Sequence, residues 1–368
     1  MRILFDARVL GKQMHGIARY ALNLLQQLLA EDRGHEYLVL IGHPQIQDWF
    51  KPSGPVRWIE TAAPLYSLQE QFLIPWQIRK EKFDLFHSPT YTIPLIFSSQ
   101  GIITIHDLIH LLFPKDYGLR HRLFYSLLVR RAVSRCPKIF TVSEQSKKDI
   151  IHLLHGPAPR IMVTPNGLDS HWRPQPDDSR FVKQYGLEKG FILFVGNPRP
   201  HKNFPRVLSA FEKLIREDSY PGKLVVVGLS PEDFSGTQPE GIVFFPLCND
   251  HDLGLLYSGA DLLAAPSLYE GFGLPVLEAM ACGCPVLIGD RGALPEMVAE
   301  AGRQVDPYDV NSLWAGIREI LYHKEIRQGL IDRGLKRAAQ YTWEKTAQKV
   351  LEAYDCLEKD LRTLNLKK

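Results

Sequence analysis

The sequence predicts an α/β protein made of two doubly wound units in tandem. Three observations predict it. Short apolar, β-branched runs alternate with longer segments of helical period, the pattern of a parallel sheet covered on both faces. The alternation halts at Asn166–Asp169 and the Pro- and Asp-rich HWRPQPDDSR, then restarts. The length of 368 residues suits two domains of about 100–200 residues each.

In the first half, expected as 1–170, Arg2–Phe5 (RILF), Tyr37–Ile41, Leu85–His87, Ile102–Ile105, Ile139–Val142 and Ile161–Thr164 read as strands. Ile17–Leu29, Leu68–Arg79, Arg120–Ser134 and Glu144–Leu154 lie between them with helical spacing. In the second half, expected as 171–344, Phe191–Val195, Leu224–Val227, Ile242–Phe245, Leu262–Ala265 and Val286–Ile288 read as strands. Helices fit at Phe204–Ile215, Asp250–Ser258, Pro275–Cys282 and Asp309–Tyr322, and two long ones follow at Lys324–Gln340 and Trp343–Leu361. Open α/β sheets bind ligands beyond the carboxyl ends of their strands, so chemistry is expected there.

Composition narrows the function classes. Apolar residues make up 45% and charged ones 23%, ordinary for a globular chain with a large core. A net charge of +3 is too small to argue for nucleic acid. It is unevenly split: residues 1–170 carry 20 Lys/Arg against 14 Asp/Glu, residues 171–368 carry 24 against 27. The basic half either has solvated faces or meets something anionic, such as a lipid diphosphate or a bilayer surface. The five cysteines, 136, 248, 282, 284 and 356, form no disulfide or zinc pattern and are expected as small core thiols. No apolar run approaches the length of a membrane span, and MRILFDARVL lacks the apolar stretch of a secretory signal. A reducing cytoplasmic setting is the default expectation.

One stretch concentrates chemistry: YEGFGLPVLEAMACGCP, residues 269–285. Gly271 and Gly273 let the chain turn tightly and let a ligand approach the backbone. Pro275 suits the first turn of a helix, where its missing N–H costs nothing. Phe272, Gly273 and Leu274 should then present N–H groups at a helix N-terminus, a phosphate site. Glu270 precedes this turn and Glu278 follows it, so the two can accept hydrogen bonds from hydroxyls on either side of a diphosphate. Alternatively, both are solvated glutamates around an ordinary glycine turn. The turn continues Gly273-Leu-Pro, so it lacks the full dinucleotide fingerprint, which argues against a dehydrogenase.

The segment ADLLAAPSLYEGFGLPVLEAMACGCPVL resembles the signature of retaining glycosyltransferases of family 4, whose E-x7-E motif matches Glu270 and Glu278. HGIARY (15–20), DLFHSP (84–89), TIHDL (104–108), FTVSEQSKKDI (140–150), TPNGLD (164–169), FVGNPRPHKN (194–203) and YTWEKTA (341–347) follow in family order. HGIARY, HDL and PHKN are most similar to the O-antigen mannosyltransferase branch. The resemblance implies the GT-B fold: two Rossmann-like domains facing an interdomain cleft, with the acceptor on the first and the nucleotide-sugar on the second. It also implies a last helix, about 345–368, that packs back on the first domain.

The resemblance assigns Glu278 to the ribose hydroxyls, Glu270 to the donor sugar, and Phe272, Gly273 and Leu274 to phosphate and sugar. It assigns Lys202 to the diphosphate leaving group, whose growing charge needs a fixed cation. Many members carry Arg where this chain has Asn197; Arg199, two residues on, could reach the same oxygens with its bidentate fork. His201 between them could face solvent. His106, at the end of a strand, matches the histidine that contacts the donor sugar. Asp107 either binds substrate or positions His106; His87, also at a strand end, is a weaker candidate. Gly16 permits close approach of phosphate or acceptor, or is a plain helix start. The arginines of 120–135 could make a basic helix lying on a membrane, or a core helix with a solvated basic face.

These assignments imply a retaining, metal-independent hexosyltransferase without a cofactor. DFSG and DHD look like loop or helix starts, not a metal-holding Asp-x-Asp. The donor, a substrate, would be GDP-mannose or, second, a UDP-sugar. The acceptor would be a saccharide or lipid-linked glycan of cell-surface polysaccharide such as O-antigen. The site would be cytoplasmic, with peripheral contact at the inner membrane. The rivals are a UDP-sugar-dependent glucosyl- or N-acetylhexosaminyltransferase, a sugar-nucleotide epimerase, and a non-catalytic binder, against which the intact Glu270, Glu278, Lys202 and His106 argue.

Overall fold

A computed structural model describes the chain except residues 12–14, 32, 116–124, 177–186, 188–189, 234–239, 246–247 and 366–368. The side chains of 49, 125, 126, 364 and 365 are likewise outside it. The chain forms two compact units: unit 1 is Met1–Gly167 with Thr342–Lys368, and unit 2 is Leu168–Tyr341.

The strands of unit 1 are β1 (Arg2–Asp6), β2 (Glu36–Ile41), β3 (Val56–Glu60), β4 (Leu85–Ser88), β5 (Gly101–Ile105), β6 (Lys138–Thr141) and β7 (Ile161–Val163). Those of unit 2 are β8 (Ile192–Val195), β9 (Leu224–Val227), β10 (Ile242–Phe245), β11 (Leu262–Ala265), β12 (Val286–Gly289) and β13 (Arg303–Val305). Helices of eight or more residues are α1 (Gly16–Ala30), α2 (Glu70–Gln77), α3 (Glu144–Leu154), α4 (Phe204–Asp218), α5 (Asp250–Gly259), α6 (Leu274–Ala281), α7 (Val310–Tyr322), α8 (Lys324–Ala338) and α9 (Trp343–Asn365).

Unit 1 has the sheet order β3-β2-β1-β4-β5-β6-β7 and unit 2 the order β10-β9-β8-β11-β12-β13. The strand pairs in both sheets are parallel. In each unit the order reverses beside the first strand, so a crevice opens at the carboxyl ends of β1 and β4, and of β8 and β11.

Alternation along the strands builds a core on each face of the unit 1 sheet, and a further core in unit 2. In unit 1, Ile3 and Phe5 pack with Tyr20, Leu24 and Leu28 of α1 and with Val350, Leu351 and Tyr354 of α9. Leu4, Leu38 and Leu40 point to the other side, against Ile74 of α2 and Ile150 of α3. In unit 2, Ile192 and Phe194 meet Phe211 and Leu214 of α4 and Ile317 of α7. The chain re-enters unit 1 at a tight contact: a Cβ on Gly167 would collide with the backbone at Trp343. Thr346 Oγ1 donates to Pro165 O at 2.6 Å there.

Two strands escape the sequence pattern. β3 and β13 are edge strands, partly exposed, and their VRWIE and RQV lack the continuous apolar run of a strand buried on both faces. Of the expected helix at 120–134, residues 120–124 lie outside the described part. Arg130–Arg135 is helical, with Ala132 and Val133 buried and Arg130, Arg131 and Arg135 exposed. Cys136, Cys282 and Cys284 are buried, whereas Cys248 is half-buried and Cys356 exposed, so the core-thiol expectation holds for three of the five.

Leu351→Ala should lower the unfolding free energy by about 2–5 kcal/mol, because a fully buried leucine leaves a cavity between α9, α1 and the sheet. Urea denaturation checks it; a loss of only ~0.5 kcal/mol would match a surface position and remove α9 from this core.

Candidate active site

The crevice of unit 2 is built by the loops that leave β8 and β11. After β8, the chain makes a single turn, Pro200–Lys202, and then sets Asn203 in a left-handed conformation with φ 64°. Asn tolerates that region because its short side chain bonds locally. Here the side chain is buried, and its Nδ2 donates to Pro266 O at 2.9 Å and Pro307 O at 2.7 Å. Leu268 N donates to His201 O at 2.7 Å. The loop after β8 is thus fastened to the loop after β11, and Lys202 arrives beside Glu270.

Lys202 Nζ donates to Glu270 Oε1 at 2.7 Å, and Ser267 Oγ donates to the same oxygen at 2.7 Å. Burial pushes the Glu270 pKa up. The Lys202 charge and hydrogen bond, then the Ser267 hydrogen bond and the His201 charge, outweigh this and hold it below the ordinary carboxylate value. Glu270 is therefore an anion at neutral pH. Its Oε2 takes no hydrogen bond from a described residue, which leaves it directed to accept from a hydroxyl. The Glu270 backbone is clamped as well: Ala293 N donates to its O at 3.1 Å, and a Cβ on Gly292 would crowd its N–H.

Beyond Glu270 the loop ends at Gly273, φ 98°, where a Cβ would run into Leu294. Both the turn and the packing require glycine. Gly273 is the N-cap of α6, and Pro275 lies in the first turn. Val276 N and Leu277 N fold back onto Gly273 O, whereas the N–H groups of Phe272, Gly273 and Leu274 make no backbone bond within the described residues. Such donors at the positive end of a helix suit an anion.

One turn into α6, Glu278 is buried, and Tyr257 Oη on α5 donates to its Oε2 at 3.1 Å. Burial and then the Glu278 charge push the Tyr257 pKa far up, so the phenol stays a donor. Neither E-x7-E glutamate is therefore a solvated side chain: each has a fixed partner. Asn203, Ser267 and Tyr257 are the supporting residues the sequence did not single out; the Asn after PHK was the available signal for a left-handed turn.

Other candidates fall differently. Lys202 meets Glu270, and His201, which could have faced solvent, is buried at 5% exposure. Arg199 is exposed and precedes the Pro200–Lys202 turn.

At the carboxyl edge of the unit 1 sheet, His106 follows β5. It is half-buried, with Nε2 bonded to Pro89 O at 3.0 Å and its ring edge-on to Tyr20 at 4.7 Å. A carbonyl only accepts, so Nε2 carries the proton and Nδ1 is left as an acceptor. Burial lowers the pKa to about 4, which keeps the ring neutral. Asp107 Oδ1 accepts from Ile109 N at 3.1 Å, capping the short helix Ile109–Leu112. Gly16 is the first residue of α1, whose N-terminus has no side-chain cap. His87 is a core residue: fully buried, ringed by Phe5, Phe140 and Tyr354, and hydrogen-bonded to the Tyr354 hydroxyl.

Comparison with known proteins identifies the fold and the family. Residues 14–172 match Glycosyltransferase Family 4, and residues 176–337 match Glycosyl transferases group 1. The chain is 30% identical to the O-antigen chain mannosyltransferase B of Escherichia coli, over 97% of this chain and 100% of that protein. The sucrose-phosphate synthase of Thermosynechococcus elongatus superposes with a TM-score of 0.77 at 20% identity, over 98% of this chain and 99% of the other. Anabaena HepE, solved with UDP and glucose, gives 0.74 at 17% identity, over 97% of this chain and 100% of the other. The chain belongs to glycosyltransferase family 4, in its O-antigen mannosyltransferase-like branch, and has the GT-B fold. No helix among the described residues is long and apolar enough to cross a membrane.

Replacing Lys202 by Met should raise the Glu270 pKa, since burial remains while the opposing charge and hydrogen bond are lost. Ser267→Ala should shift it the same way but less. Carboxyl-carbon NMR titration of Glu270 reads both shifts. A depressed carboxylate stabilises the fold above its unfolded pKa and loses that contribution as pH falls through the folded value. Acid unfolding of the Lys202→Met variant should therefore begin from a lower stability and depend less on this group; an unchanged Glu270 titration would mean that the ion pair does not set its charge.

Proposed function

We propose that the protein transfers a hexose, most directly mannose, from a nucleoside-diphosphate sugar to a saccharide or lipid-linked acceptor of cell-surface polysaccharide, with retention at the anomeric carbon and without a metal ion. The observation that carries this is the placement of Lys202 and Glu270 in contact, at a sheet crevice, one loop away from the N–H groups of Phe272–Leu274 at the start of α6. GDP-mannose is the first donor, on the likeness to the Escherichia coli mannosyltransferase. A UDP-sugar is the second, because Anabaena HepE was solved with UDP and glucose.

In this proposal the donor diphosphate lies over the start of α6, the ribose hydroxyls on Glu278 and the sugar hydroxyls on Glu270. A diphosphate carries more charge than one carboxylate and would compete for Lys202. The bond from the anomeric carbon to phosphate oxygen breaks, and its electron pair stays on the departing nucleotide. Lys202, the three N–H groups and the α6 dipole stabilise that charge without reorganising. The acceptor oxygen attacks from the face the nucleotide leaves, and the acceptor proton passes to the departing phosphate oxygen. Neutral His106 takes no proton here; its Nδ1 would accept from a sugar hydroxyl. Gly16, Gly271 and Asp107 remain proposed substrate contacts, and Arg199 a proposed second cation for the diphosphate. Unit 1 would hold the acceptor and unit 2 the nucleotide-sugar, at the cytoplasmic face of the membrane.

A donor panel tests the reading: GDP-mannose, UDP-glucose and UDP-N-acetylglucosamine, followed by nucleotide release with and without lipid-linked acceptors. Acceptor-dependent release with one donor, and an axial or equatorial product linkage that preserves the donor's anomer by NMR, are expected. Sugar interconversion without acceptor would instead point to an epimerase. Lys202→Ala should lower kcat about 10²–10³-fold while donor affinity falls far less, as charge grows towards the transition state. Arg199→Ala should act in the same direction. Full activity of that variant would make Arg199 a surface residue.

A further inference from the structure

We propose that Tyr257 sets ribose specificity: its hydroxyl fixes the Glu278 carboxylate in the orientation that reads both ribose hydroxyls, so that the donor must carry a ribonucleoside. This rests on the reading that places the ribose on Glu278, and adds a positioning residue and a selectivity that the E-x7-E motif alone does not carry.

A glutamate side chain turns about three bonds, and its carboxylate offers lone pairs on two oxygens. Left to itself it meets whatever donor is near, and an arriving hydroxyl must first stop that motion. Tyr257 removes this freedom. Its Oη donates to Glu278 Oε2 at 3.1 Å, and a phenol oxygen moves only with its ring. That ring is fully buried on α5, with Trp172 edge-on to it at 5.8 Å and itself buried. Gln175 N donates to Ser258 Oγ at 3.0 Å, which fastens the Trp172 segment to α5. Ser258 Oγ also lies 3.5 Å from Cys282 O. Neighbouring residues of α5 therefore meet α6 at Glu278 and, one turn later, at its end, so the two helices hold one register.

The choice of a phenol matters. Glu270 is fixed by an ammonium, which neutralises it as an ion pair. Tyr257 fixes Glu278 with a neutral donor, which holds the geometry and leaves the carboxylate charge to strengthen bonds from incoming hydroxyls. Burial and the Glu278 charge keep the phenol protonated, so Tyr257 donates and does not compete for a ribose proton. At 0% exposure it has no surface for a ligand and acts through Glu278, whose own 8% exposure is the remaining way in. A site built to hydrogen-bond a hydroxyl rejects the analogue that lacks it, because a buried acceptor is then left unpaired. That rejection needs a fixed acceptor. A carboxylate free to turn finds another partner, and the deoxy analogue then loses little.

The test is calorimetric titration of the full chain with GDP and UDP, each beside its 2′-deoxy and 3′-deoxy forms. The wild type should bind the better ribonucleotide at least about tenfold more tightly than either deoxy form. Tyr257→Phe keeps the ring and removes the donor. It should weaken the ribonucleotide about tenfold and leave the deoxy forms within about twofold, so that the preference disappears. In transfer assays the loss should fall on KM, with kcat at saturating donor within about twofold, because the ribose contact is alike in ground state and transition state. The preference is a ratio of two affinities of the same folded molecules, so partial misfolding of the variant does not hide it. A wild-type preference in Tyr257→Phe would overturn the proposal. So would equal losses for ribo and deoxy forms, the mark of a structural role alone. Glu278→Ala separates this from the reading beneath it. If Glu278→Ala loses the preference and Tyr257→Phe keeps it, only Tyr257 is removed from the role. If Glu278→Ala keeps it, or the wild type has none or binds neither nucleotide, the ribose does not lie on Glu278 and both ideas fall together.

Discussion

The candidate site of unit 2 is tied together by a buried amide and a backbone hydrogen bond, Leu268 N to His201 O at 2.7 Å. Asn203 holds a left-handed turn, and its Nδ2 bonds the carbonyls of Pro266 and Pro307, from the loops after β11 and β13. Three loops that begin on different strands thereby become one surface. The Lys202 ammonium is set 2.7 Å from Glu270. A long flexible lysine becomes a fixed charge, and fixed charges stabilise a leaving group at least reorganisation cost.

The two glutamates of the E-x7-E motif are similar in sequence but sit in different surroundings. Glu270 is held anionic by a cation and a hydroxyl on one oxygen, with the other directed to accept. Glu278 is buried in the helix α6 and receives a phenol from α5. The glycine turn between them separates them physically, and the φ of 98° at Gly273 favours glycine there. The two carboxylates thus sit in distinct environments on either side of a helix start whose N–H groups suit an anion.

Unit 1 presents contrasting surfaces at the two ends of the same elements. At the carboxyl edge of its sheet, His106 is neutral and held by Pro89 O and Tyr20. Along α2, Phe72, Leu73 and Trp76 are exposed, while Glu70 and Ile74 are buried. Glu70 itself turns inward to Arg8, which also takes Asp6 in a bidentate pair, so the outward face is left to apolar and cationic groups.

The sequence by itself determined the two sheets and the conformation of the glycine turn. Strands buried on both faces must be continuous apolar runs, and Leu224–Val227, Ile242–Phe245 and Leu262–Ala265 have the same bounds in the sequence pattern and in the fold. Gly273, Pro275 and the eight-residue spacing of Glu270 and Glu278 act locally, through φ, a missing N–H and helix pitch, so they are legible in a linear string. Edge strands β3 and β13 were not, because exposure removes the apolar pattern. Tertiary structure alone decided the partners. Lys202 and Glu270 are 68 positions apart, and Asn203 and Pro307 104, so nothing local joins them. It also moved His201 inward and made His87 a core side chain, since both stand next to loops or strand ends where either fate satisfies the local pattern. Which apolar residues of α2 stay in water is settled by how few neighbours the rest of the chain brings to that face, and no local period contains that information.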